Sequence, residues 1–192
     1  MDFYLIRHTR VATPAGICYG CSDVPVAATY PEDEAAVRTR LAPIVNNNPV
    51  VAYSSPLTRC RSLAEALVPG SIHFDDRLRE YDFGRWELQP WSELPAAELD
   101  PWMADYVQVP APGGESFLDL QARTTAFLLD MLAQPDAPQT ALVFCHSAVI
   151  RSLLCHCLGL PLANAFRLDI DYGSISKVRY SQGRFNVAYT NA

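Results

Sequence analysis

The sequence predicts an α/β fold: a three-layer α/β/α sandwich with a mostly parallel sheet and an insertion over the carboxyl edge of that sheet. Three observations predict it. Short apolar runs alternate with longer stretches of helical period, charged residues directly follow the apolar runs, and the stretch 75–115 has no regular pattern but holds all three tryptophans. The 192 residues, 49% of them hydrophobic, suffice for one domain, 1–192, with 75–115 as its insertion or lid segment.

The first strand and the first helix lie in the N-terminal quarter of the chain. Residues 2–7 form a short β-prone run, and a loop rich in Gly, Pro and Cys follows it. The helix is expected to open at 31–34, Pro-Glu-Asp-Glu, because acidic side chains favour the first turn of a helix. Pro43 lacks a backbone N–H, so we expect it to kink or end this helix.

A second strand and helix are predicted directly afterwards. Residues 50–54 form the strand, Ser55 is expected to cap the helix, and Pro56 is its expected first residue. The apolar positions of this helix recur with helical spacing, which predicts a face that packs on the core. They are Cys60, Leu63, Ala64, Leu67 and Val68. Arg59 and Arg61 lie off this face.

The C-terminal half repeats the alternation. A helix is predicted to start at Ser116, a strand to span 140–145, and a last helix to follow it and stop at Gly159. This last helix is expected to turn Ile150, Leu153, Leu154, Cys157 and Leu158 inward. Residues 166–190 are expected to form short strands with a turn at 181–183.

Charge and composition limit the classes of partner. The net charge is −6 and the sequence pI about 5.1, so no overall positive field favours nucleic acid or a membrane surface. No leader peptide is evident, and no apolar run approaches the roughly 18 residues of a membrane span. We therefore expect a cytoplasmic protein, a monomer or homodimer, whose partner is a small molecule.

The six cysteines include one CxxC pair, Cys18 and Cys21. A zinc site usually needs two such pairs in compact loops, whereas Cys60, Cys145 and Cys157 fall at apolar positions of predicted elements. Buried thiols are therefore favoured over zinc binding, and a redox or metal role for the CxxC pair stays open.

Cationic and imidazole side chains follow three predicted strands. Arg7 and His8 end the first strand, Arg59 lies in the first turns of the second helix, and His146 follows the strand 140–145. Because parallel strands bring their carboxyl ends to one edge, these four side chains are expected to share a pocket. Guanidiniums match phosphate oxygens, and the helix starting at Ser147 adds backbone N–H groups, so the pattern predicts an anion site. No Walker loop or GxGxxG occurs, so no nucleotide cofactor is expected.

Five motifs, in order along most of the chain, resemble those of the histidine phosphatase superfamily, in its phosphoglycerate-mutase-like branch. They are RHT at 7–9, SSPLTRCRSLAEAL at 54–67, LREYDFGRWE at 78–87, GGES at 113–116 and FCHS at 144–147. The resemblance implies the three-layer α/β/α fold and phosphoryl transfer through a phosphohistidine, without a metal or other cofactor.

The resemblance also implies roles for individual residues. By position, His8 corresponds to the nucleophile, Arg7 and Arg59 to phosphate-binding residues, and His146 to the second catalytic histidine, expected in its protonated form. Glu80 corresponds to the proton donor that a poor leaving group requires. Three neighbouring acids remain as alternatives for that role: Asp82, Glu87 and Glu115.

This sequence departs from the family pattern next to both histidines. Thr9 and Ser147 replace glycines, and Pro14 stands where many members have a phosphate-contacting asparagine. We expect the two hydroxyls to bind phosphate in its place. Mutases of the branch are generally longer and have further basic residues, so hydrolysis is favoured over mutase chemistry.

Within the phosphatases, RHT, GICYGCSD at 16–23 and LREYDFGRWE are most similar to the α-ribazole phosphatase group of cobalamin nucleotide-loop assembly. The resemblance implies α-ribazole 5′-phosphate as substrate, and we assign Arg10 and Trp86 to substrate binding. Two alternatives remain open. One is a broad-specificity sugar or glycolytic phosphate phosphatase or mutase, and the other is a non-catalytic module that binds a phosphate ligand.

Overall fold

A six-stranded sheet organises the computed structural model, which describes residues 1–47, 49–134 and 139–192. The strands are β1 (Asp2–Arg7), β2 (Val51–Ser54), β3 (Ile72–Phe74), β4 (Thr140–Cys145), β5 (Ile175–Ser181) and β6 (Arg184–Tyr189), in the order β3-β2-β4-β1-β5-β6. The first four in this order run parallel, and β5 and β6 add an antiparallel edge. The predicted α/β class with a mostly parallel sheet is confirmed.

Helices cover both faces of the sheet. They are α1 (Tyr30–Asn47), α2 (Thr58–Leu67), α3 (Ala96–Ala104), α4 (Phe117–Ala133) and α5 (Ser147–Leu158). Successive strand side chains point to opposite faces, so Tyr4 and Ile6 pack with α1 and α2, whereas Phe3 and Leu5 pack with α4 and α5. In the described part of the chain, no helix is long and apolar enough to cross a membrane.

The predicted start of α2 is wrong, and of the two outcomes expected at Pro43 the structure excludes an end of α1. Helix α2 begins at Thr58, not Pro56, and its N-cap is Leu57, which makes no side-chain cap hydrogen bond. The Ser55 hydroxyl instead lies 2.8 Å from His146, where it serves the site described below. Helix α1 continues through Pro43 to Asn47, because the apolar face that includes Leu41 stays packed on the core and outweighs the missing N–H bond.

The end of α5 also differs from the prediction. Ile150, Leu153 and Leu154 are buried as expected, but Cys157 is only partly buried and Leu158 is exposed. The helix leaves the core in its last turn, just before Gly159 ends it in the left-handed conformation.

The segment 75–115 packs over the carboxyl edge of the sheet. It contains α3 and three short 3₁₀ turns, Asp76–Leu78, Gly84–Trp86 and Trp91–Glu93. Its two ends approach so closely that a Cβ atom on Gly114 would lie 2.2 Å from the carbonyl oxygen of Asp82. This close packing fixes the backbone that presents Glu80.

The predicted start of α4 at Ser116 is confirmed by a capping box. The Ser116 hydroxyl accepts from the Asp119 N–H at 3.2 Å, and the Asp119 carboxylate accepts from the Ser116 N–H at 2.9 Å. The pair satisfies two backbone donors that the helix itself cannot satisfy.

Removing this cap is expected to destabilise the protein. Ser116→Ala should lower the free energy of unfolding by about 1 kcal/mol, because the Asp119 N–H loses its acceptor. Urea titration followed by circular dichroism measures the change, with the exposed Ser71→Ala as control. Equal stabilities of the two variants would contradict the capping role.

Candidate active site

The first histidine lies at the exit of β1 with its ring tautomer defined. His8 is 1% exposed, and its backbone N–H donates to the Cys145 carbonyl of the neighbouring strand at 3.1 Å. Its Nδ1 lies 2.7 Å from the Thr9 carbonyl oxygen. Since a carbonyl only accepts, Nδ1 must carry the proton, and Nε2 therefore keeps its lone pair. That lone pair is what an attacking imidazole needs.

The second histidine is adjacent to the first. The rings of His8 and His146 are 5.1 Å apart between centroids. His146 Nδ1 accepts from Arg59 Nε at 3.2 Å, so its proton lies on Nε2, which donates to the Ser55 hydroxyl at 2.8 Å. Burial, together with Arg59, holds the pKa of both histidines well below the usual value. These shifts favour the neutral form of both rings, and the protonated His146 expected with a bound phosphoryl group stays a prediction.

The two predicted phosphate-binding arginines differ in their surroundings. Arg59 is fully buried and donates to His146 and to the carbonyls of Ser22 and Gly20, at 2.7 and 2.6 Å. Arg7 donates to the Ile170 carbonyl, but its buried Nε has no partner among the described residues. Arg59 thus organises the loop around the site, whereas Arg7 retains a donor for a ligand.

Thr9 adds a second unpartnered atom beside the nucleophile. Its hydroxyl is buried and, within the described part of the chain, makes no hydrogen bond. Buried polar atoms without partners are rare in folded proteins, and each one calls for a ligand or an equivalent group. Thr9 Oγ1 and Arg7 Nε, on either side of His8 in the sequence, are such atoms.

Two tyrosines that were not predicted as site residues contact these arginines. The Tyr172 ring lies 3.8 Å from the Arg7 guanidinium carbon and 5.6 Å from the His8 ring. Its hydroxyl is 2.6 Å from that of Tyr19, whose ring lies 5.5 Å from the Arg59 guanidinium. Tyr19 falls inside the GICYGCSD stretch, but no feature of the sequence places Tyr172 here, because only the fold brings the turn before β5 to β1.

Glu80 is held at the start of α5. It is 9% exposed, and its Oε1 accepts from the N–H groups of Tyr81 and Ala148 at 3.1 and 3.2 Å. Ser147 Oγ donates to Oε2 at 3.3 Å. A carboxylate is favoured at a helix N-terminus because N–H groups there lack helical partners. Ser147, predicted to bind phosphate, contacts this carboxylate in the ligand-free structure.

The three alternative acids have structural contacts elsewhere. Glu115 pairs with Arg123 at 2.6 Å, and Asp82 accepts from the Gly84 N–H at 2.8 Å. Glu87 accepts from backbone N–H groups of Cys21, Ser22 and Phe83. Of these four acids, Glu80 alone lines the cavity described next.

A cavity of about 160 Å³ opens beside Arg7 and Glu80. Nearly half of its lining residues are aromatic: Tyr19, Tyr81, Phe83, Trp91, Trp102, Phe117 and Phe166. Ser147 and Arg151 of α5 complete its polar lining. The cavity is therefore suited to a partly apolar group next to a phosphoryl group.

The structure does not bring Trp86 or Arg10 into this cavity. Trp86 is 1% exposed and forms an inner core with the other tryptophans, its Nε1 donating to Glu98 at 3.1 Å. Arg10 is exposed and forms two hydrogen bonds with Asp33. The tryptophans that line the cavity are instead Trp91 and Trp102.

Both cysteines of the CxxC pair are free. Burial raises the pKa of Cys18 and of Cys21 to about 12, which favours the thiol over the thiolate. Ligand atoms of Cys21, Asp82 and Glu87 lie within 4.8 Å of one another. The two carboxylates there already accept backbone N–H bonds, which join the loop after β1 to the segment 75–115.

The lowered pKa of His8 and of His146 should be visible in a pH titration of the folded protein. Because the pKa of both rings is lowered well below 6.5, the ring-proton NMR signals of His8 and His146 should titrate at clearly lower pH than those of a free imidazole. In urea both should titrate near 6.5, as free imidazoles do. His8→Gln and His146→Gln assign the signals, and a midpoint near 6.5 in the folded protein would refute the neutral pair.

Comparisons with known proteins identify relatives of this chain. The chain is 30% identical over 193 residues to the Salmonella paratyphi C protein named "Probable phosphoglycerate mutase GpmB". The aligned residues cover 96% of this chain and 87% of that protein. Over all the relatives compared, it spans between 45% and 94% of the relative's length.

Solved structures show the same fold. The α-ribazole phosphatase of Shigella flexneri superposes with a TM-score of 0.90 at 23% identity, over 100% of this chain and 96% of that one. The phosphoserine phosphatase of Entamoeba histolytica superposes with a TM-score of 0.86 at 20% identity, over 100% of this chain and 96% of that one. Residues 3–192, nearly the whole chain, match the histidine phosphatase superfamily (branch 1). The protein therefore belongs to the histidine phosphatase superfamily.

Proposed function

We propose that this protein is a metal-independent phosphomonoesterase that acts through a phosphohistidine on His8. One observation supports this most directly: His8 has an Nε2 lone pair and is flanked in the sequence by two buried donors, Arg7 Nε and Thr9 Oγ1, that have no hydrogen-bond partner among the described residues. A phosphoryl group offers acceptor oxygens to both donors and an electrophilic phosphorus to Nε2.

In the first step, His8 Nε2 attacks phosphorus and the bond to the ester oxygen breaks. Arg7 and Thr9 stabilise the negative charge on the equatorial oxygens, and this electrostatic stabilisation is the main contribution of a protein to phosphoryl transfer. His146 assists in its neutral form, because its Nε2–H, donated to Ser55 in the ligand-free state, is available to a phosphoryl oxygen.

Protonated Glu80 gives its proton to the leaving oxygen, so that the product is an alcohol and not an alkoxide. In the second step, Glu80 takes a proton from a water molecule that attacks the phosphohistidine, and phosphate leaves. The N–H groups of Tyr81 and Ala148 hold the carboxyl group at the cavity entrance in both steps.

The substrate we propose is α-ribazole 5′-phosphate, in cobalamin nucleotide-loop assembly. The aromatic lining supports it, because a nucleoside-like leaving group presents a planar base that packs well on Trp91 and Trp102. A phosphate ester with a carboxylate, such as 3-phosphoglycerate or phosphoserine, is the second candidate. Arg151 in the cavity wall favours it, since a guanidinium binds carboxylates well.

The deciding experiment compares phosphate release from α-ribazole 5′-phosphate, 3-phosphoglycerate, phosphoserine and p-nitrophenyl phosphate in excess EDTA. We expect turnover that resists the chelator, is highest for the ribazole ester and disappears in His8→Ala. Intact-protein mass spectrometry of a quenched reaction should show a phosphorylated species that is acid-labile. Loss of turnover in EDTA, or normal turnover in His8→Ala, would overturn the proposed mechanism. Equal turnover of all four esters would overturn the proposed substrate.

Glu80→Gln should reveal the proton donor through its dependence on the leaving group. For an alkyl phosphate we expect kcat to fall by about 10²- to 10⁴-fold, because an alkoxide then leaves unprotonated. For p-nitrophenyl phosphate the loss in the first step should be much smaller, since its leaving group needs no proton. Glu115→Gln is the matched control. If its loss of kcat depended more strongly on the leaving group than the loss in Glu80→Gln does, Glu115 would be the proton donor.

A further inference from the structure

Arg151 reaches the cavity from the same face of α5 that holds Glu80. Ser147 and Ala148 contact the Glu80 carboxylate, and Arg151 follows one turn later on that face. All three line the cavity together with Glu80. Arg151 therefore lines the cavity that Glu80 also lines, and it lies one helical turn, about 5 Å along the axis, beyond the residues that hold the carboxylate.

The charge of Arg151 is only partly compensated by the nearby carboxylates of Glu80 and Asp169. Its Nε donates to the Leu168 carbonyl at 2.9 Å, and its guanidinium carbon lies 5.3 Å from the Phe166 ring. Within the described ranges, its two terminal nitrogens have no hydrogen-bond partner and it forms no ion pair. Burial, followed by the nearby Arg7, lowers its pKa. A partly buried cation of this kind favours a ligand that brings an oxygen acceptor.

The opposite side of the cavity is formed by two indole rings. Trp91 and Trp102 are 6.0 Å apart with an angle of 30° between their planes, and Trp102 is fixed by a hydrogen bond from its Nε1 to Tyr81 at 3.1 Å. An engineered apolar cavity of about 150 Å³ binds benzene. The 160 Å³ available here therefore fits one planar ring.

We propose that Arg151 is the residue that determines specificity for the leaving group. It binds oxygen acceptors of that group about one helical turn beyond the ester oxygen, while Trp91 and Trp102 pack against a planar ring. The substrate class is a phosphate monoester whose leaving group combines oxygen acceptors with one planar ring. This inference rests on the proposed function, because it places the phosphoryl group at His8.

Three phosphate esters distinguish the contribution of Arg151 from that of the two tryptophans. α-Ribazole 5′-phosphate has both a ring and oxygen acceptors, 3-phosphoglycerate has acceptors without a ring, and phenyl phosphate has a ring without further acceptors. Arg151→Met should raise KM about tenfold or more for the first two, with kcat less affected, because the loss is of a charged hydrogen bond. Its effect on phenyl phosphate should be several-fold smaller.

Trp91→Leu should produce the complementary pattern, raising KM for the two ring-containing esters more than for 3-phosphoglycerate. Arg151→Lys, which keeps the charge but not the planar fork, should restore part of the affinity for 3-phosphoglycerate. The exposed Arg167→Met is the matched control for the arginine change, and thermal unfolding shows whether each variant folds.

An equal rise of KM for all three esters in Arg151→Met would overturn the inference, since it would indicate only a structural role through Leu168. A fall in kcat without a change in KM would overturn it as well. Failure of the proposed function has a different signature: the wild-type protein would then hydrolyse none of the three esters, or His8→Ala would hydrolyse them equally well.

Discussion

The burial of Arg59 beside His146 is the constraint on which the site depends. The guanidinium has no accessible surface, and two backbone carbonyls and one imidazole nitrogen satisfy it. This contact fixes the tautomer of His146 and disfavours its charged form, since two adjacent buried cations repel each other. It also fixes the backbone at Gly20, which forms part of the cavity wall. Burial and this one arginine thus favour the neutral form of His146, and the same arginine holds part of the cavity wall.

The start of α5 connects this charged centre to the leaving-group cavity. His146 is the N-cap residue, and the next residues, Ser147 and Ala148, hold Glu80. Arg151 follows on the same face. Imidazole, carboxyl group and guanidinium are therefore spaced by the geometry of a single helix, which keeps their relative positions constant when surface loops move.

The sheet and the residues at its strand exits could be predicted from the sequence because both depend on local patterns. β1 and β4 are short apolar runs, and Arg7, His8 and His146 directly follow or end them. The position of Trp86 could not be predicted, because composition does not distinguish a core tryptophan from one at a cavity wall: Trp86 and Trp91 are five residues apart yet differ in exposure. Tyr172 and Arg151 were missed because their contacts with Arg7 and Glu80 depend on packing between distant segments.

The hydrogen bond between Tyr19 and Tyr172 has a consequence for ligand entry. It spans the loop after β1 and the turn before β5, and His8 beneath it is almost inaccessible. Breaking one such bond costs about 1 kcal/mol. The form with this hydrogen bond would therefore exceed an open form without it by only about five to one. Covering of His8 by the two tyrosines therefore reduces the apparent affinity for a ligand by a similarly small factor. The same covering keeps bulky electrophiles away from the His8 ring, which is 1% exposed.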